Sequence, residues 1–161
     1  MNKRLINLIT TAFLLVLIAC GGGGGGSGTD APIEAEITTS VSSITWTFAE
    51  AAGFQCENVD FFYVVVQNSA TNVPLNNVNV KISNPLAEPN NTAIQLYDGD
   101  PTDGGHAENS PMTLTTDING TVTVYFKYCG GGGVEYGGDF LVSSGPIFET
   151  VTFDVTVDTA E

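Results

Sequence analysis

The segment between Tyr97 and Pro111 is rich in glycine and aspartate, a composition suited to metal binding. Calcium prefers carboxylate and carbonyl oxygens held in a flexible loop. The spacing departs from the EF-hand pattern, because the third aspartate comes one position late. A solvated acidic loop is therefore the main interpretation, and calcium is the alternative. The candidate calcium ligands are Asp98, Asp100, Asp103 and Glu108.

Nucleophilic catalysis of the Ser-His-Asp or Cys-His type would have to use His106, because the chain contains one histidine. His106 lies in the same loop, with no nucleophile motif such as G-x-S-x-G nearby. The sequence also contains no H-E-x-x-H, paired C-x-x-C, P-loop or dinucleotide-binding motif. Acidic residues are plentiful, but their number does not make a catalytic pair. We therefore predict a protein that is not an enzyme, has no cofactor other than the candidate calcium ion, and carries His106 as a solvated side chain.

The N-terminus has the organisation of a lipoprotein signal peptide. Lys3 and Arg4 form a positive region, and residues 5–18 form an apolar stretch shorter than the roughly twenty residues of a spanning helix. Leu17-Ile18-Ala19-Cys20 resembles the lipobox read by prolipoprotein signal peptidase. We expect residues 1–19 to be cleaved and Cys20 to receive the lipid, whose acyl chains would hold the protein in a membrane. A plain anchor helix with an incidental cysteine is the alternative.

A glycine-rich tether follows the lipidated cysteine. The lipidated cysteine and the tether span residues 20–31. Residues 21–26 are all glycine, and residues 21–29 are predicted to be flexible, with an r.m.s. reach of roughly 15 to 20 Å. Residues 32–161 have the length of one folded domain. Gly21 stands where an aspartate would resemble the inner-membrane retention signal of enteric bacteria. The sequence therefore favours the outer membrane over the inner membrane.

The charge of the chain excludes two classes of partner. Its net charge is −14, and signal cleavage would remove Lys3 and Arg4, leaving 18 acidic residues against Lys81 and Lys127, a net charge of −16. Nucleic-acid binding requires clustered lysines and arginines. Anionic lipid headgroups would repel the same acidic surface. We therefore expect no nucleic-acid partner and membrane contact through the lipid alone.

Hydrophobic residues alternate with polar ones along most of the remaining chain, a pattern typical of half-buried strands. Residues 61–66 are instead continuously apolar, which predicts a central strand covered on both sides. Asp117-Ile118-Asn119-Gly120 predicts a tight hairpin turn. The pattern predicts an all-β, immunoglobulin-like sandwich of seven to nine antiparallel strands. The predicted strands are 33–39, 43–48, 61–66, 78–83, 93–97, 112–116, 121–128, 140–143 and 151–158.

A family resemblance extends from Asp60 to about Asp158. Residues 64–80, with the strand Val64-Val65-Val66 and a turn containing Pro74, resemble the bacterial Ig-like domains of the invasin and intimin type (Big-1). Residues 115–124 are similar to the Thr-Asp-x-x-Gly hairpin of that family. This sequence departs from the family in residues 97–111 and in its two extra cysteines. The resemblance implies a sandwich fold and no catalytic residue.

Cys56 and Cys129 are the two thiols left once Cys20 is acylated, and an exported domain matures in an oxidising compartment. We therefore predict a disulfide between them, closing a loop of about seventy residues and stabilising the fold by roughly 4 kcal/mol. One argument opposes it. If the predicted strands simply alternate in direction, the two cysteines lie at opposite ends of the sandwich.

Three functions are compatible with these features. The preferred one is a lipid-anchored, non-catalytic adhesion, binding or spacer module that presents loops or a sheet edge to an unknown envelope protein or glycan. The second is an accessory subunit of an envelope or extracellular assembly, completed by β-augmentation. The third is a small hydrolase or carbohydrate-binding protein that uses Tyr97, Tyr136 or Trp46 as stacking platforms, although such aromatics more often pack in a core.

Overall fold

The computed structural model describes residues 28–84, 86 and 93–159, and their regular structure is entirely β. They form ten strands in two five-stranded sheets, which confirms the predicted all-β sandwich. The number exceeds the predicted range because the acidic loop contains a further strand of two residues. The strands are β1 (Ala35–Thr39), β2 (Ser43–Ala49), β3 (Gln55–Asn68), β4 (Asn79–Ser83), β5 (Ile94–Tyr97), β6 (Ala107–Glu108), β7 (Met112–Thr115), β8 (Thr121–Gly130), β9 (Tyr136–Ser144) and β10 (Ile147–Asp158).

One sheet has the order β1-β3-β8-β5-β6, and we call it the β3–β8 sheet. The other has the order β2-β10-β9-β4-β7, and we call it the β9–β10 sheet. All neighbours are antiparallel except β2 and β10, which are parallel. The chain crosses from one sheet to the other at every connection between described strands except β5 to β6 and β9 to β10. The Greek-key type of connection that results is typical of immunoglobulin-like sandwiches.

The tight turn at Asp117–Gly120 is present, but it joins β7 and β8 of different sheets and does not form a hairpin within one sheet. Asp117 Oδ1 accepts hydrogen bonds from the backbone N–H groups of Asn119 and Thr121 at 2.8 and 2.9 Å. The bond from Thr121 is the main cause of the lowered pKa of Asp117. Gly120 has a φ of 68° and lies close to the Val66 carbonyl, so a side chain there would clash.

The core lies between the sheets and is supplied by alternate residues of the strands, as the sequence pattern predicts. Each large apolar side chain that is fully buried contributes about 1.5–3 kcal/mol. Neighbouring rings in this core have centroids within 3.8–6.3 Å of each other. We call these rings the core aromatic cluster: Trp46, Phe62, Phe126, Tyr128, Tyr136, Phe140 and Phe153.

Strand β3 corrects one expectation, because it is covered on one side and not on both. Phe62, Val64 and Val66 face the core and are buried, whereas Phe61 and Tyr63 are each 45% exposed. Successive residues of a strand point to opposite faces of the sheet. A two-layer sandwich has no third layer to cover the outer face, so the apolar residues there remain in contact with solvent.

A disulfide joins Cys56 and Cys129, which confirms the predicted pairing. The strands predicted from the sequence did not include β6. This strand adds one reversal of the chain, and β3 and β8 consequently run antiparallel as direct neighbours, with Gln55 opposite Gly130. β3 also begins at Gln55, well before the predicted start at Phe61, and this extension brings the two cysteines level.

Residues 28–31 contact the sandwich, although the sequence assigned them to the tether. Thr29 forms a parallel bridge with Val78. The buried Ala31 donates a backbone hydrogen bond to Ser144 Oγ at 2.9 Å. The predicted signal peptide, Cys20 and the glycines 21–26 lie outside the described residues. In the part of the chain that is described, no helix combines the length and hydropathy needed to cross a membrane.

Candidate binding face

Four aromatic side chains share the outer surface of the β3–β8 sheet, and we call this surface the outer aromatic face: Phe61, Tyr63, Tyr97 and Tyr125. Phe61 of β3 is paired with Tyr125 of β8, which is paired with Tyr97 of β5. Residues paired directly across neighbouring strands point to the same side of a sheet. Phe61, Tyr125 and Tyr97 therefore form a row across three strands, with Tyr63 beside it.

Three rings of this face, those of Phe61, Tyr63 and Tyr125, are in contact and remain accessible. The Phe61 ring centroid is 5.4 Å from that of Tyr63 and 5.6 Å from that of Tyr125. Tyr97 and Tyr125 are half-buried and complete the surface. Among residues 28–84, 86 and 93–159, no hydrogen bond engages the three tyrosine hydroxyls of the face. Exposed apolar clusters of this kind are typical of binding sites.

A polar row lies next to the aromatic row, one step along the same strands. Its polar members are Lys127 of β8 and Gln95 of β5, which are paired in register, and the apolar Val59 of β3 completes the row. Lys127 Nζ donates to Glu57 Oε2 at 2.8 Å and lies 5.7 Å from the centroid of the Tyr97 ring. The hydrogen bond to Glu57 raises the pKa of Lys127, so this side chain is a cation at neutral pH.

An open pocket of about 190 Å³ lies where the two rows meet β5. It has a polar wall and an aromatic wall, since Lys127 and Glu57 line it together with Tyr97. Gln95 Nε2 donates to the Glu108 carbonyl at 2.7 Å, which holds the amide at the rim. The pocket can thus offer donors, acceptors and a ring to one ligand. Its full lining is Cys56, Glu57, Gln95, Tyr97, Lys127, Tyr128 and Cys129.

Of the three aromatic residues that the sequence offered as stacking platforms, Tyr97 alone lies on this face. Trp46 stacks on Tyr128 with a centroid distance of 3.8 Å, and its Nε1 donates to Asp60 Oδ2 at 3.1 Å. The Tyr136 hydroxyl donates to the Cys129 carbonyl. Trp46 and Tyr136 belong to the core aromatic cluster, the commoner use of such side chains.

The acidic loop does not bring its four predicted calcium ligands together. Asp98 Oδ1 accepts a hydrogen bond from the backbone N–H of His106 at 2.6 Å. Asp100 Oδ1 accepts from both the backbone and the hydroxyl of Thr102, and these bonds lower the pKa of Asp100. Glu108 lies apart from the aspartates, in strand β6. Within the described residues, no group of three or more His, Cys, Asp or Glu side chains is arranged to hold a metal ion.

His106 has the surroundings of a solvated loop residue. Its side chain is 82% exposed, and its Nδ1 lies 3.6 Å from Asp98 Oδ2. An exposed pair of this kind contributes little to stability because water screens the charges.

The sequence did not single out Phe61, Tyr63 or Tyr125 as candidate site residues. The sequence of β8 did indicate that Tyr125 faces outward, because it shares the alternate, less buried positions of the strand with Thr123 and Lys127. On β3 that signal was hidden, because apolar residues occupy both faces of the strand. Only the pairing of β3 with β8 places Phe61 next to Tyr125.

No protein-family model matches the chain, and no curated protein matches it. Among solved structures, the chain is similar to the ASH/PapD-like domain of human CEP192 (PapD-like domain 7). The two are 14% identical, the alignment covers 86% of this chain and 92% of that chain, and the TM-score is 0.40.

Proposed function

We propose that this protein is a lipid-anchored, non-catalytic binding module of the bacterial cell envelope, and that the outer aromatic face is its binding surface. One observation carries the proposal: Phe61, Tyr97 and Tyr125 form an accessible row in a chain with 18 acidic residues and only 4 basic ones. Contact between aromatic rings and water is unfavourable, and a partner that covers the rings removes that contact.

The anchor is proposed from the sequence. The lipobox at residues 17–20 would attach the chain to a membrane through Cys20, with the outer membrane favoured. Seven residues, 21–27, separate Cys20 from Gly28, whose carbonyl accepts a hydrogen bond from Asn79 Nδ2 in the β9–β10 sheet. The described chain therefore begins beside the β9–β10 sheet, the sheet that does not carry the outer aromatic face. A Big-1-like role as an adhesion module fits this arrangement.

Binding to isolated cell envelopes tests the face. The triple substitution Phe61→Ser, Tyr63→Ser and Tyr125→Ser should weaken saturable binding of the labelled mature protein by about tenfold or more, since hot-spot aromatics dominate interfaces. The matched control is Phe148→Ser, an aromatic residue of β10 that is 69% exposed. Equal binding by the triple variant and the wild type would contradict the proposal.

The anchor has a separate test. Cys20→Ser should leave the precursor uncleaved and without acyl label, because the thiol is the acceptor of the lipid. Normal processing and membrane retention of this variant would show that the lipobox is not used.

A further inference from the structure

We infer that the ligand of the outer aromatic face is an uncharged saccharide, with one sugar ring seated in the pocket beside Tyr97 and the next rings lying along Tyr125 and Phe61. This inference rests on the proposed function and names its ligand class. The proposed site consists of residues from three adjacent strands, β3, β8 and β5.

The aromatic row has the shape that a saccharide requires. Neighbouring strands lie about 4.8 Å apart, so three paired residues span roughly 10 Å. A sugar ring has an apolar C–H face, and the electron-rich face of an aromatic ring attracts such partially positive hydrogens. A row of accessible rings across three strands can therefore support an extended chain of sugars.

The polar groups beside the row match the rim of a sugar ring. A hydroxyl group both donates and accepts hydrogen bonds. Lys127 supplies donors, and the carboxylate of Glu57, which is 84% exposed, supplies acceptors. The ion pair between them presents both kinds of partner within one pocket of about 190 Å³. That volume is below the 300–1,000 Å³ typical of drug-sized ligands and suits a single small ring.

Charge decides between the remaining occupants. Lys127 is paired with Glu57, so the pocket presents no unbalanced charge to the ligand. An anionic glycan would meet the field of a chain with a net charge of −14, and a second copy would add the same repulsion. A basic protein would have to displace Lys127 from Glu57 to form an ion pair in this pocket. An uncharged ligand avoids all three costs.

A glycan array that contains uncharged, sialylated and sulfated oligosaccharides tests the ligand class with the mature protein in detergent. We expect at least one uncharged oligosaccharide to bind saturably. Tyr97→Ala and Lys127→Gln should each weaken this binding by about tenfold, which corresponds to roughly 1.4 kcal/mol. Phe148→Ser should leave it unchanged. Near-ultraviolet circular dichroism of the Trp46 and Tyr128 stack shows that each variant is folded.

Failure to bind any uncharged oligosaccharide would overturn the inference, as would a preference for sulfated or sialylated glycans or full binding by a folded Tyr97→Ala variant. Treatment of the envelopes separates this failure from failure of the binding face. Periodate, which cleaves vicinal diols, should abolish envelope binding, and proteinase K should not. The reverse result, with the triple variant still defective, would assign the face to a protein partner and retain the proposed function alone.

Discussion

The two sides of the β3–β8 sheet carry aromatic clusters of opposite character, although neighbouring residues supply them. Phe62 and Phe126 face inward and are 0–1% exposed. Phe61 and Tyr125 precede them in the chain and face outward. On the inner side the polar tips of Trp46 and Tyr136 are hydrogen-bonded to protein groups, whereas the described residues leave the tyrosine hydroxyls of the outer side unbonded.

This difference shows how one pair of strands can bury rings on one side and present accessible rings on the other. Residues that alternate along a strand enter environments that differ in water content, so the same kind of ring stabilises the fold on one side and contacts solvent on the other. Substitutions on the inner side should therefore change the free energy of unfolding, and those on the outer side should change binding.

The largest effect is expected for Phe126→Ala, which removes a fully buried ring from the core aromatic cluster. It should lower the free energy of unfolding by about 3–5 kcal/mol. Phe61→Ala, at the neighbouring outward position of the sheet, should lower it by less than about 1 kcal/mol. Urea denaturation of both variants measures the difference. Similar losses would show that the outer ring also contributes to the folding core.

The disulfide should have the next largest effect, because it links β3 to β8 across a long stretch of the chain. Replacing Cys56 and Cys129 with alanine should cost about 2–4 kcal/mol through the larger entropy of the unfolded chain. Thiol titration of the denatured, unreduced protein with a blocked Cys20 gives an independent check. We expect no reactive thiol, and a value of two per chain would exclude the bridge.

A smaller effect concerns the ionisation of the inner cluster. Burial, reinforced by the charge of Asp60, raises the pKa of Tyr128 from 10.0 to about 12. Between these values the unfolded chain loses the phenolic proton while the folded chain keeps it. The free energy of unfolding should therefore be unaffected below pH 10 and should fall as the pH rises towards 12.

Tyr128→Phe should reduce this alkaline loss of stability, since it keeps the ring and removes the ionising group. Urea denaturation midpoints on both sides of pH 10 measure the effect, and phenolate absorbance of the folded protein follows the ionisation directly. An identical pH dependence in the variant would show that a group other than Tyr128 causes the alkaline loss of stability.

Much of the fold follows from local patterns in the chain. The alternation of Val122, Val124 and Phe126 with polar residues predicted both the strand and its buried side, because a pleated strand has a period of two. The turn at residues 117–120 was predictable because glycine readily adopts a positive φ, and Gly120 does so in the structure. The two-residue strand β6 was not predictable, since two residues contain no period and their pairing with β5 depends on residues distant in the chain.

The sequence by itself determined the fold class and the acidic charge, because composition and local periodicity suffice for these, and it predicted the disulfide between Cys56 and Cys129 on the assumption that Cys20 is acylated. Only the tertiary structure decided that the apolar run of β3 is covered on one side, that β3 and β8 are neighbours, and that Phe61, Tyr125 and Tyr97 share a row. The physical reason is that these features depend on strand order and register, which arise from contacts between residues far apart in the chain.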